Sequence, residues 1–259
     1  MSALPISSAA SDPAELEARR DLASLYRLVA NLRMTDLIYT HISARIPGPG
    51  HRFLINRYGV LFHHMRPDDL VAVDETGTAV LSDGKVQANA GFAGGRGELV
   101  VNAAGFTIHS AIHMARPDVQ CVLHTHTAAG IAVSAQKNGL LPISQHALRF
   151  FGRVAYHDYE GVALDLSERD RLVADLGDKP VMILRNHGLL VAGRTIQEAF
   201  SLIYYLERAC QAQIAAMAGG AELIVPSDDI CERTAAQFNP PDAKRHHDMA
   251  WQSALRLLE

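Results

Sequence analysis

Apolar residues near the start of the chain recur at helical spacing. Leu16, Leu22, Leu25, Leu28 and Val29 would share one face of a helix from Pro13 to about Asn31. Asp12 is placed to cap this helix, Pro13 suits its first position and Glu15 falls in its acidic first turn. The pattern then shortens to strand-like runs at Ile42–Ile46, Phe53–Ile55, Leu70–Val73 and Thr78–Leu81. Turn residues, Pro47-Gly48-Pro49-Gly50 and Asp83-Gly84, punctuate them. Helical spacing returns over Ala104–Ala115, capped by Asn102 and ended at Arg116-Pro117, because the residue before a proline is driven out of helical geometry. Next come a strand over Val119–His126, a small-residue helix from Thr127 to about Lys137, a strand near Arg153–Tyr156 and a helix opening at Ser167-Glu168. Val181–Leu184 reads as a buried strand and Leu189–Val191 as another, joined by the His187-Gly188 turn. Thr195 and Glu198 form a capping box for a helix reaching about Met217, stopped by Gly219-Gly220, and a last helix spans Asp242 to Leu258.

Hairpins in the first half and imperfect helix–strand alternation in the second imply a mixed sheet covered by helices. The expected fold is α/β, a three-layer α/β/α sandwich with a central, mixed, largely antiparallel sheet. No repeat or long linker divides the chain, so residues 1–259 are expected to form a single domain whose C-terminal helical extension covers 228–259.

Composition narrows the function classes. Apolar content of 48% and charged content of 20% suit a folded protein and exclude disorder as the main state. A net charge of −4 argues against a nucleic-acid surface. No window approaches the ~20 apolar residues of a membrane span. Met1–Ala10 lacks the charged and apolar regions of a secretory signal, and the cytoplasm is the expected compartment. Three scattered cysteines, Cys121, Cys210 and Cys231, imply no disulfide framework.

The chemistry concentrates at Val122-Leu123-His124-Thr125-His126. Side chains two apart on a strand point the same way, so His124 and His126 converge. Neutral imidazole is a common ligand of divalent first-row metals, and an open catalytic site takes three protein ligands. His187 ends another apolar run and is the candidate for the third. His109 and His113 lie four apart on one helix face without the glutamate of a His-Glu-x-x-His motif. His63 and His64 are expected in a solvated loop or in packing, His246 and His247 facing solvent. The glycine-rich run Ala90–Gly97 lacks a phosphate-loop ending and reads as a mobile loop that could cover a site.

The run Arg116-Pro117-Asp118-Val119-Gln120-Cys121-Val122-Leu123-His124-Thr125-His126, followed by Arg185-Asn186-His187-Gly188-Leu189, closely resembles the class II aldolase and adducin head-domain family. The resemblance covers about Tyr26 to Met217. Asn102–Ile112 and Val154–Tyr159 look more like its adducin branch. It implies a homotetramer with a divalent metal, usually zinc and otherwise manganese or iron, held by His124, His126 and His187. In the family's aldolases the metal polarises substrate oxygens during carbon–carbon cleavage, a carboxylate moves protons and a tyrosine of the neighbouring subunit assists. Here Ala103-Ala104-Gly105 replaces the Ser-Ser-Glu run that holds phosphate and supplies the carboxylate. Thr40-His41 and Tyr58-Gly59 replace two further phosphate contacts, and the tyrosine aligns near His146.

The expected activity is therefore a metal-dependent lyase, an aldolase or decarboxylase, acting on a small unphosphorylated oxo or hydroxy acid. His146, His109 and Tyr159 are the candidates for moving protons. A three-histidine iron(II) oxygenase and a non-catalytic adducin-like oligomeric binding module are the alternatives. The expected partners are a small-molecule substrate and copies of the chain, with no nucleic acid and no membrane.

Overall fold

The computed structural model describes residues 12–48, 50–80, 86–87, 100–162 and 167–259. Met1–Ala10, the Asp83-Gly84 turn and the Ala90–Gly97 run lie outside the described residues. Helix α1 (Pro13–Asn31) opens with the Asp12 carboxylate accepting the Ala14 amide at 3.0 Å. Its inner face is Leu22, Leu25, Tyr26, Leu28 and Val29, while Leu16, one turn too early to reach the sheet, is 40% exposed. Five strands follow: β1 (His41–Arg45), β2 (Phe53–Asn56), β3 (Leu70–Val73), β4 (Ala79–Val80) and β5 (Val86–Gln87). After α2 (Ala103–Ala115) and β6 (Cys121–Thr125) come α3 (Ala128–Ser134), α4 (Gln145–Leu148), β7 (Val154–His157) and α5 (Glu168–Leu176). The chain continues as β8 (Val181–Leu184), β9 (Gly188–Gly193), α6 (Ile196–Met217), α7 (Asp228–Phe238) and α8 (Ala243–Leu255).

The strands form one sheet in the order β5-β4-β3-β2-β1-β6-β9-β8-β7. The β7–β8 pair is parallel and every other described pair is antiparallel. Alternation sends Ile42, Ala44, Leu123, Ile183 and Val191 to one face, where α1, α3 and α6 cover them and α8 packs on α6. Val122, Met182, Leu190 and Ala192 point to the other face, against α2 and α5. This is the expected three-layer mixed sandwich.

Details differ where local hydrogen bonds decide the ends. The helix expected to reach Lys137 stops at Ser134, because the chain tightens into a turn in which the Gln136 amide donates to the Val133 carbonyl. Helix α4 carries no long apolar period and begins where the Ser144 hydroxyl accepts the Ala147 amide. In the capping box Thr195 accepts the Glu198 amide at 3.0 Å, but Glu198 returns its bond to the amide of Arg194, one residue earlier. His63, His64 and His246 are exposed as expected, whereas His247 of α8 is half-buried. The three cysteines are buried free thiols. Among the described residues no helix is long and apolar enough to cross a membrane.

One buried contact sets the position of β1. The Tyr26 hydroxyl accepts the Ile42 amide at 2.7 Å and the Asn56 amide at 3.2 Å, and its one proton points between the Asn56 side-chain oxygen at 2.8 Å and the Ile42 carbonyl. It joins α1 to β1 and β2 beside His41. Burial drives its phenol well above the usual range, so it stays neutral.

Candidate metal centre

β6 and β1 are neighbours, and their register sets His41 directly opposite His124 on the face turned toward α2. His124 is the fourth residue of β6, and His126 follows immediately after its end. His187 comes from the tight turn between β8 and β9, shaped by Asn186 in the left-handed region at φ 55°. Asparagine tolerates that conformation better than most residues. Gly188 then packs against the Thr125 carbonyl and the His126 and His124 rings. A Cβ at 188 would overlap that carbonyl, so the close approach of the two strand ends requires glycine.

The three Nε2 atoms meet. His124 Nε2 is 2.7 Å from His126 Nε2, which is 2.9 Å from His187 Nε2. Among the described residues these three form the group able to hold a metal ion. The outer nitrogens explain why the inner ones are available. His124 Nδ1 lies 2.9 Å from the Leu189 carbonyl and must carry the proton it donates there, leaving Nε2 with a lone pair. His126 Nδ1 lies 2.9 Å from the Asp36 carboxylate, which fixes its ring in the same way. Burial, then the neighbouring imidazoles, pushes His124 well below the ordinary histidine range and takes His187 down to about 4. Both are therefore neutral at pH 7, the state a metal requires. The donor set and its orientation fit a divalent ion; tetrahedral bonds of 2.0–2.1 Å would part the nitrogens to about 3.3 Å.

Sequence reasoning misses Asp36, and it places His41 only where a phosphate contact would lie, not opposite His124. Asp36 sits in a turn closed by the Tyr39 amide donating to its carbonyl at 2.8 Å, 90 positions from His126, and no spacing rule links the two. Changing Asp36 to Asn is expected to weaken zinc binding tenfold or more, the usual effect of losing such an outer partner, in competition with a chromophoric chelator. An unchanged affinity would show that the carboxylate does not support the site.

Of the proposed proton carriers, Tyr159 stands beside the centre, 54% exposed, with its ring 6.4 Å from that of His187. His109 is fully buried and reaches the centre through His41, whose Nδ1 lies 3.2 Å from His109 Nε2. His146 is exposed on α4, its ring 5.3 Å from Tyr205 of α6, and it makes no described contact with the three-histidine group of its own chain. Behind the centre His157 is held between Asp175 at 2.7 Å and Glu168 at 3.3 Å.

The sequence pattern of the family described as Class II Aldolase and Adducin N-terminal domain matches residues 20–214. An aldolase II superfamily protein from Pseudomonas syringae is 52% identical, with a TM-score of 0.84 over 96% of this chain and 94% of that one. L-fuculose 1-phosphate aldolase from Glaciozyma antarctica is 28% identical, with a TM-score of 0.79 over 98% of this chain and 94% of its own. Alpha-adducin from Rattus norvegicus is 43% identical over 85% of this chain, which spans 29% of the adducin's length. With sequence and fold in agreement, the chain belongs to the class II aldolase and adducin N-terminal domain family.

Proposed function

We propose that this protein is a divalent-metal lyase, an aldolase or decarboxylase that breaks a carbon–carbon bond of a small, unphosphorylated oxo or hydroxy acid, working as a homotetramer of single-domain subunits. The observation that carries this reading is the convergence of three imidazole Nε2 atoms, two of which have their opposite nitrogens held by Leu189 and Asp36. Zinc is the proposed ion, with manganese and iron compatible with the same imidazoles. When bound, it would supply Lewis-acid polarisation of a substrate oxygen.

The chain's own groups divide the remaining work. Leu189 and Asp36 orient the ligand rings. Tyr159, next to His187 and open to solvent, is placed to exchange a proton with a substrate at the centre. His146 would serve the centre of a neighbouring subunit, and His109 acts through His41. The Glaciozyma relative is named for a phosphorylated substrate. An unphosphorylated one is proposed here because Thr40-His41, Tyr58-Gly59 and Ala103-Ala104-Gly105 replace the contacts that would hold phosphate. Moreover, the His41 ring fills the space over Gly105, where any side chain would collide with it.

Identity to alpha-adducin favours a second reading, a binding module without catalysis. Protein purified without chelator, analysed for metal and assayed on 2-oxo and 3-hydroxy acids for carbon dioxide or aldehyde release, separates the two. Chelator-sensitive turnover is expected. A chain that takes up none of the three metals and turns over nothing is the module.

A further inference from the structure

α2 faces β1 across a strip that is polar although sealed from solvent. His41, Ser43, His109 and His113 are between 0% and 4% exposed. His41 and Ser43 lie two apart on the strand, His109 and His113 four apart on the helix, so each pair shares a face and the two pairs interleave. His41 Nδ1 is 3.2 Å from His109 Nε2, His109 Nδ1 is 2.6 Å from the Ser43 hydroxyl, and that hydroxyl is 2.8 Å from His113 Nε2. Apolar residues would fill this layer without the cost of burying polar atoms. The four groups instead satisfy one another in a single file.

Burial keeps all three imidazoles neutral, so each ring carries one proton and the serine hydroxyl another. With the serine proton donated within the file, only two hydrogen-bond directions are possible along it. The far end selects between them. His113 Nδ1 has no hydrogen-bond partner; of the groups near the ring the Val119 carbonyl attracts an N–H, while the Arg45 guanidinium, which donates to that same carbonyl at 3.4 Å, works against it. With the proton on His113 Nδ1, Ser43 donates to His113 Nε2, His109 Nδ1 donates to Ser43, and His41 Nδ1 donates to His109 Nε2. His41 Nε2 is left with its lone pair.

The near end is the metal centre. The His41 ring stacks on that of His124 with centroids 5.6 Å apart, and its Nε2 edge lies against Gly105. Thr40, immediately before it, is a β-branched residue held at φ 68°, a strained backbone that turns His41 inward. We propose that Ser43, His109 and His113 are positioning residues that hold His41 in one tautomer, with Nε2 as a hydrogen-bond acceptor for a substrate hydroxyl beside the three-histidine group. The use of that acceptor rests on the lyase reading, whereas the tautomer order does not.

The test is nitrogen-15 NMR of the histidine rings in the full chain, which reads the protonated nitrogen of each ring, together with zinc affinity. In the wild type His41, His109 and His113 are expected as single tautomers, all protonated on Nδ1. Ser43→Ala should leave zinc affinity within twofold but convert His41 and His109 to mixtures, and Ser43→Thr should restore the single tautomers. His113→Phe, whose ring can keep the stacking that His113 makes on Phe53 at 5.0 Å, should also release His41 and serves if the alanine variant fails to fold. A wild-type His41 protonated on Nε2, or a His41 tautomer indifferent to both variants, overturns the proposal. Absence of zinc, manganese and iron binding with the tautomers as expected would instead remove the lyase reading and leave the column standing.

Discussion

Alanine at His126 is expected to abolish stoichiometric zinc binding while leaving the chain folded. The ring lies just beyond the end of β6 and its side chain is 22% exposed. Its contacts are with Asp36, His124 and His187 rather than with the apolar clusters. Removing it therefore creates no large cavity, and the melting temperature of the chelator-treated protein should stay within a few degrees of wild type. Structural zinc sites are worth about 10–16 kcal/mol over four ligands. One ligand then accounts for about 2.5–4 kcal/mol, and the affinity should drop about 100- to 1,000-fold. Competition with a chromophoric chelator measures the drop, and circular dichroism reports the fold. Full zinc retention would refute the three-histidine site. Loss of structure would make the site architectural rather than catalytic.

The metal-free protein is expected to be unusually sensitive to mild acid. His41, His109 and His124 are depressed by burial, His187 is lowered to about 4 and His113 to about 3. Between those values and the ordinary 6.5, the unfolded chain binds protons on all five rings and the native chain does not. Stability contributed by these groups is therefore complete above about pH 6.5 and is lost as the pH falls toward 4. Each uncompensated proton costs about 1.4 kcal/mol per pH unit. Asp21 and Glu207, whose carboxyls burial raises, act in the opposite sense, adding stability as the pH falls, but they are two against five. Urea unfolding at a series of pH values should give a midpoint that is nearly flat above pH 7 and falls steeply below 6.5. A flat profile down to pH 4.5 would show that the buried rings accept protons in the native state.

Much of this was written into periodicity. The long helices α1 and α6 and the buried runs of β6 and β8 announce themselves by spacing and by caps at Asp12, Asn102 and Thr195. The ligand pair His124 and His126 is legible because strand alternation is a local rule, and His187 because it too ends an apolar run. Asp36, and the place of His41 opposite His124, were hidden for the opposite reason. Their roles depend on which strands become neighbours, and β1 meets β6 across the 75 residues of chain between Arg45 and Cys121. His109 was singled out as a group at the centre, yet its helix face meets β1 first, so His41 stands between it and the metal ligands. Short α4 has no period to read and comes from a single serine cap.

The ligands come from chain segments 61 residues apart, brought together only after the excursion through β7, α5 and β8 has returned β9 to the side of β6. An extended polypeptide offers no equivalent grip. An ion held there would act as a removable cross-link on a long loop, adding about 2.7 kcal/mol when present at a hundred times its dissociation constant. Heat resistance would then be a shared property of polypeptide and ion, set as much by the metal supply as by the packing of the sandwich.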